Sequence, residues 1–451
     1  SRGGSSHCVS VRQPSRQERG VFADCDLEEG AAVLTLPVTL VISTRQAAAT
    51  PLGAALLASL EGRRFERLDL DGLLLTAFLL NEAADAASAW SPYLQSLPAS
   101  FSTTPLNFTE EEALACGSGL HLAADLESGR QELRREFDDF FRGLRVEGRP
   151  DVAWRDFAWA RLATLSRTFT VSRLRLNMDE YMTMGATVKD VPRLVDGPSS
   201  RGADEASVLA PFADMLNHAR GDDVNCRWEY NRNGFTVLTK RPVEAGEQLG
   251  FSYGEAKTNS LLFIAYGFVE AGSPNDRLEL TLHLGDAPLP TTAAAQPLAL
   301  KVGGTPADAE ELFRVVEACH DAARAAAQGA ELSPAELASA AFRLLLAGLE
   351  REARAYSEAP PLCPASCRAL RENFVNLIGT WGHFAQLVLT FLEGSQLEIG
   401  EDRPLRFVLH SRLYFGLWLR RWGLALAPNR EAFAVASEVG SVRYTDIMFL
   451  T

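Results

Sequence analysis

Pro211-Phe-Ala-Asp-Met-Leu-Asn-His218 and, further along, Glu244-Ala-Gly-Glu-Gln-Leu-Gly-Phe-Ser-Tyr-Gly254 are the stretches on which the fold turns. The first is an apolar segment that ends in Asp214, Asn217 and His218. The second is a turn that feeds a strand, in which Leu249, Phe251 and Tyr253 share one face at a period of two. A third stretch, Asn259-Ser-Leu-Leu-Phe-Ile-Ala-Tyr-Gly-Phe268, ends in a second Tyr-Gly at Tyr266. Tyrosine combines an apolar ring with a hydroxyl that can donate and accept a hydrogen bond. Either tyrosine alone would read as ordinary aromatic core. A lone Asn-His pair could cap a helix, and no second histidine lies at metal-ligand spacing, so a metal is rejected.

Upstream, short apolar runs split by Gly and Pro predict a small sheet: Gly20–Ala23, Ala32–Pro37 and Thr39–Ser43. From about Pro51 to Lys189 the texture is helical, through Leu73–Asn81, Leu126–Arg145 and Ala153–Arg173. Thr109-Glu-Glu-Glu112 starts a helix with an N-cap hydroxyl and acids in the first turn. Residues 190–207 read as a Gly/Ser/Pro-rich loop. Strands return at Arg227–Tyr230, Phe235–Lys240 and Gln248–Tyr253, with Asn231-Arg-Asn-Gly234 as a hairpin turn. Beyond Pro288 the chain is rich in Ala, Leu, Glu and Arg, and helices are predicted over Ala307–Gln328 and Ser333–Tyr356. The outline is a small β domain interrupted by helices, followed by a helical domain.

The chain has 451 residues, too many for one ordinary core, and its hydrophobic and charged contents fit a folded soluble protein. A net charge of −14 argues against a nucleic-acid binder and permits a partner rich in Lys and Arg. Seven scattered cysteines, odd in number and without CxxC, speak against a disulfide framework or zinc ribbon and for a reducing compartment. Cys363 and Cys367 form a CxxxC that reads as incidental. Phe374 to Leu392 carries no charge and is about long enough to span a bilayer. Asn376, His383 and Gln386 interrupt it at a cost in lipid, so one buried helix or two short ones is the reading, with no membrane. The opening Ser1 is taken as a sign of processing.

The motifs together resemble a SET-domain protein-lysine methyltransferase of the Rubisco large-subunit methyltransferase type. The resembling stretch runs from about Glu18 to Leu284. It includes Glu18-Arg-Gly-Val-Phe-Ala23, Trp90-Ser-Pro-Tyr-Leu-Gln-Ser-Leu-Pro98, Ser166-Arg-Thr-Phe169, the Asp214–His218 segment, Gly246-Glu, Ser252-Tyr-Gly254 and Ala265-Tyr-Gly-Phe-Val269. The resemblance implies an α+β fold: a small-sheet SET domain over residues 1–285 with a helical insertion at about 51–189, then an all-α substrate-binding domain over 286–451. It implies S-adenosylmethionine as cofactor, with no metal.

Residue by residue, the resemblance makes Tyr253 the catalytic tyrosine, and Tyr266 a wall of the lysine pocket that meets cofactor and substrate. Asn217 and His218 match the pair that holds the cofactor, and Glu18, Arg19 and Gly20 match the turn that meets it. Arg167 matches an arginine near the cofactor carboxylate. Arg173 looks like a second, substrate-side arginine, with Arg175 as its alternative. Asp214 matches an acid at the pocket edge, with structural anchoring as the other reading. Trp90, Tyr93 and Pro98 are expected to pack, and either Trp228 or Tyr230 supplies a further aromatic. After about Tyr356 the resemblance fades, and the arginine- and aromatic-rich Pro404–Leu424 does not match the usual ending.

The implied partner is a non-histone protein with an exposed lysine, with Rubisco large subunit and aldolase as candidates. The implied location is the chloroplast stroma, with cytoplasm or nucleus as alternatives. A histidine acceptor and a catalytically silent SET-like scaffold are the competing readings.

Overall fold

The structure is a computed structural model that describes residues 4–14, 19–63, 68–117, 123–172, 205–231, 234–273, 275–280, 283–284, 287–288, 298–301, 306–327, 330–332 and 334–392. Four expectations therefore lie outside the described residues: Glu18, Arg173 with Arg175, most of the 190–207 loop, and the Pro404–Leu424 segment.

The chain divides into two compact units, Ser1–Asn107 with Ser128–Lys257, and Phe108–Glu127 with Thr258–Thr451. The first is built on two four-stranded sheets. One joins β1 (Ser5–Ser6), β4 (Ala32–Leu36), β9 (Gly234–Thr239) and β8 (Cys226–Asn231) in the order β1-β4-β9-β8. The other joins β2 (Val9–Arg12), β3 (Gly20–Ala23), β10 (Gln248–Phe251) and β7 (Asn217–His218) in the order β2-β3-β10-β7. A separate pair joins β5 (Thr168–Ser172) to β6 (Glu205–Leu209). The pairing of β7 with β10 is parallel, Asn217 opposite Gly250 and His218 opposite Phe251. Parallel neighbours need a crossover connection, and here the β8–β9 hairpin, part of the other sheet, supplies it. Gly250 is glycine because a Cβ there would meet the Ala219 Cβ at 2.9 Å and the Asn217 carbonyl at 3.2 Å.

Helices α1 (Thr44–Ala48), α2 (Pro51–Leu60), α3 (Leu70–Ala83), α4 (Ser91–Ser96), α5 (Glu110–Gly117), α6 (Ala123–Glu136) and α7 (Trp154–Arg167) follow β4 in the chain, α5 lying within the second unit. Two starts follow from local chemistry: Thr50 caps α2 ahead of Pro51, and the Asp69 carboxylate accepts from Gly72 N at the start of α3. Thr109 and Glu112 form a reciprocal capping box at α5, as the acidic first turn predicted. Apolar side chains of α3, α4 and α7 gather with Phe137, Phe140 and Phe141 in one core. A second core fills the space between the sheets around Val21, Val33, Phe169, Phe235, Val237 and Leu249.

Three sequence expectations are corrected here. The helix expected over Ala153–Arg173 ends at Arg167, and Thr168–Ser172 becomes β5, because Thr168, Thr170 and Val171 favour extended backbone and Glu205–Leu209 offers a partner. The strand expected over Thr39–Ser43 is instead a 3-10 turn at Val38–Leu40 after Pro37, with only an Ile42–Leu209 bridge. The cysteines do pair: Cys8–Cys25 and Cys116–Cys367 are disulfides, with Cα atoms 5.7 and 5.8 Å apart. Spacing conceals the second bond because 251 residues separate its partners, and the CxxxC cysteine Cys367 is used up in it.

In the second unit, α8 (Asn259–Tyr266) is capped by Thr258 and stopped by Gly267 in the left-handed region at φ 77°. Strand pairs β11 (Arg277–Leu280) with β14 (Leu298–Lys301), and β12 (His283–Leu284) with β13 (Ala287–Pro288), precede α9 (Pro306–Ala326), α10 (Pro334–Ser357) and α11 (Ala365–Leu392). Phe374–Leu392 thus lies within one continuous helix, and among the described residues no helix is long and apolar enough to cross a membrane. Its buried side chains Phe374, Leu377, Ile378 and Trp381 pack with Phe342 and Leu345 of α10 and Val316 of α9. Asp276, 3% exposed, accepts from Asn259 N at 2.8 Å, Asn259 Nδ2 at 2.6 Å and Asn373 Nδ2 at 2.6 Å, which ties α8 to α11.

Candidate active site

The parallel β7–β10 pairing brings the Asn217-His218 pair beside Tyr253. The Tyr253 N–H donates to His218 Nδ1 at 3.0 Å, and the Tyr253 hydroxyl donates to the Leu216 carbonyl at 2.9 Å. Tyr253 is thereby held at its backbone and at its hydroxyl by the segment that carries Asn217 and His218. Its ring lies 5.3 Å from His218 and 5.7 Å from Phe251. Phe251 in turn meets Phe169 at 5.7 Å, and Phe169 meets Trp228 at 5.4 Å. Of the two aromatics left open in sequence, Trp228 joins this cluster, stacked on Phe235 at 5.2 Å, and Tyr230 is buried in the same core.

His218 accepts at Nδ1, so its neutral form carries the proton on Nε2. Burial, then Arg220 and Lys257, holds its pKa below 6.5. A depressed folded value means that the neutral ring stabilises the fold above the unfolded pKa, and that this is lost as pH falls through the folded value. An NMR titration is expected to show His218 with a midpoint below 6.5 and the Tyr253 amide moving with it. A midpoint at or above 6.5 would contradict the assignment.

Asn217 reaches the first chain segment: its Nδ2 donates to the Arg19 carbonyl at 3.0 Å and to Gln248 Oε1 at 2.7 Å. Gly20 sits under this pair, where a Cβ would lie 2.5 Å from Gln248 Oε1 and 2.9 Å from Asn217 Nδ2.

A second cluster stands beside the first. Phe212, at φ 71°, holds a strained turn that opens the Ala213–Met215 3-10 helix. The Asp214 side chain is fully shielded from solvent; its Oδ2 accepts from Tyr93 Oη at 2.7 Å, and Arg167 Nη1 donates to its backbone carbonyl at 2.6 Å. This burial favours the anchoring reading of Asp214. Burial pushes its carboxyl above the usual range despite Arg167 and Tyr93, and burial with the Asp214 charge pushes the Tyr93 phenol well above its own. Burial and the Arg167 charge lower Arg19, with Asp214 opposing. Arg167 Nη1 lies 3.8 Å from Asp214 Oδ2 and Arg19 feels the same charge, while among the described residues Arg167 Nε is buried without a hydrogen-bond partner. That donor set fits a ligand carboxylate.

Tyr93 was expected only to pack; its hydroxyl instead satisfies Asp214 across 121 residues. Tyr93→Phe is expected to cost about 2 kcal/mol, since a charge-assisted bond to a buried carboxylate is lost. Urea unfolding checks this, and a loss under about 0.5 kcal/mol would show that the bond contributes nothing net. Asn225 and Gln248 were also missed, and only their contacts reveal them. Tyr266 belongs to the second unit, where it ends α8 with its ring 6.2 Å from Phe268. Burial pushes the Cys226 thiol up to about 12, which leaves it inert at neutral pH. Among the described residues no group of His, Cys, Asp and Glu could hold a metal ion.

A family model described as the SET domain matches residues 18–254, slightly more than half of the chain. The chain belongs to the SET-domain family. Among curated relatives, the actin-histidine N-methyltransferase of Canis lupus familiaris is 26% identical over 215 residues, 47% of this chain and 32% of that protein. SET domain-containing protein 4 of Homo sapiens is 25% identical over 259 residues, 57% of this chain and 53% of that protein. The chain thus spans about a third of the length of the first of these. Among solved structures, the SET domain of LSMT bound to methyllysine and AdoHcy aligns with a TM-score of 0.52 at 17% identity over 96% of each chain. Rubisco LSMT bound to sinefungin and monomethyllysine aligns at 0.51 and 18% over 97% of each. At these identities the likeness establishes the fold: an α+β SET fold with a helical C-terminal region.

Proposed function

We propose that the chain is an S-adenosylmethionine-dependent methyltransferase that methylates a lysine side chain of a non-histone protein. The observation that carries this is Tyr253, held by Leu216 and His218 next to the Asn217 strand in a SET fold. The cofactor supplies a methyl group on a sulfonium, open to in-line attack by an amine. Arg167 and Arg19 provide guanidinium donors for its carboxylate, and Asn217 an amide for its polar end. A free lysine is only about 0.1% neutral at pH 7, so the acceptor site must favour the neutral amine. The apolar rings of Phe251 and Phe169 behind Tyr253 lower local polarity, which favours loss of the ammonium proton. The Tyr253 oxygen donates to Leu216, and its lone pairs can accept from the amine N–H and so aim the nitrogen. The acidic chain would attract a lysine-bearing loop with basic neighbours. Rubisco large subunit and aldolase are the first substrates to try.

A histidine acceptor is the second reading, favoured by the actin-histidine N-methyltransferases among the relatives. Imidazole is largely neutral at pH 7 and needs no such desolvation. Transfer of tritiated methyl groups into an extract, followed by hydrolysis and chromatography, separates the two. Methyllysine supports the first reading, and methylhistidine the second. Cofactor binding with no labelled protein would leave a SET scaffold, and no cofactor binding would sink the enzyme reading.

A further inference from the structure

Gln248 opens β10, opposite Phe22 of β3, and is exposed. Its contact with Asn217 has only one consistent orientation. The Arg19 backbone carbonyl can only accept, so the Asn217 atom that faces it must be the amide nitrogen. The second N–H of that nitrogen points at Gln248, so the facing atom there must be Oε1. One carbonyl therefore sets both amides. With both N–H groups of Asn217 engaged, its Oδ1 is the atom left to meet a ligand, and it can only accept.

The strand under Gln248 is itself held. Asn225, 1% exposed, donates to the Gln248 carbonyl at 2.8 Å and to Glu247 Oε1 at 3.1 Å, and accepts from Gly250 N at 2.9 Å. Gly20 leaves room for the amide pair, which a Cβ would push apart.

We propose that Gln248 is a positioning residue for the cofactor: it locks the Asn217 amide so that the Asn217 carbonyl oxygen is presented to a hydrogen-bond donor on the ligand. The inference rests on reading the site as one for S-adenosylmethionine. Because Gln248 is exposed, the fold does not depend on its side chain, and variants should keep the wild-type Tm. Gln248→Leu removes the acceptor, whereas Gln248→Glu keeps an oxygen in its place.

The test is calorimetric titration of the full chain with S-adenosylhomocysteine, alongside hydrogen exchange of the Asn217 side-chain amide in the ligand-free protein. Gln248→Leu is expected to bind about fivefold more weakly, the worth of one net hydrogen bond, and to exchange the Asn217 amide faster. Gln248→Glu is expected to restore both, and the KM for cofactor should rise in Gln248→Leu with kcat nearly unchanged. Equal weakening in both variants, or none in Gln248→Leu while the wild type binds, would overturn the role of Gln248 alone. Failure of the wild type to bind would overturn the cofactor reading beneath it.

Discussion

Replacing Tyr253 with phenylalanine is expected to leave S-adenosylhomocysteine affinity within about twofold while kcat falls by about two orders of magnitude. The ring keeps its place in this variant, because its packing against His218 and Phe251 does not involve the hydroxyl. The backbone N–H bond to His218 Nδ1 also survives. Only the bond to the Leu216 carbonyl is lost, at a stability cost of about 1 kcal/mol, well within the margin of a folded domain. What disappears is a hydroxyl that can turn an amine toward a methyl donor, and orientation of that kind is where transfer enzymes gain most. Single-turnover kinetics with a labelled donor separates this from slow product release. Unchanged turnover would mean that the Tyr253 hydroxyl is not the group that orients the acceptor.

The parts of this site that could be read in the sequence are those encoded locally. Leu249, Phe251 and Tyr253 alternate at strand period, and away from the site the capping box at Thr109 is likewise written within four residues. The Asn217-His218 pair was recognisable as a motif, though only the parallel register with Gly250 and Phe251 shows why its distance from Tyr253 is short. Contacts that depend on tertiary placement left no such trace. Nothing near Tyr93 indicates that its hydroxyl meets Asp214, and nothing near Cys116 points to Cys367. Thr168–Ser172 follows a helix without a Gly or Pro to mark the change, so the boundary is set by the β6 strand that pairs with it. Gln248 looks like a solvent-facing strand residue, and the role proposed for it follows only from its side-chain contact with Asn217.

Arg161→Met is expected to destabilise the first unit by about 3–5 kcal/mol, the cost of leaving buried charge without its partner. Arg161 is 4% exposed and grips Glu136 with two bonds, Nε to Oε2 at 2.8 Å and Nη2 to Oε1 at 2.7 Å. Nη2 also donates to Asp69 Oδ2 at 3.0 Å, while Asp69 Oδ1 caps α3. One guanidinium thus pins the start of α3 and the end of α6 to α7. Burial pulls its pKa down, but Glu136 and Asp69 more than reverse this, so the charge is secure at any working pH. Methionine fills much of the same volume, so the loss would come from the two abandoned carboxylates and not from a cavity. A second comparison separates these causes. If desolvated charge is the source, Arg161→Met combined with Glu136→Leu and Asp69→Ser, the serine retaining an α3 cap, should recover much of the stability that Arg161→Met alone removes. Urea unfolding of the three proteins decides it: a triple variant less stable than Arg161→Met would show instead that the ion pairs themselves are net favourable.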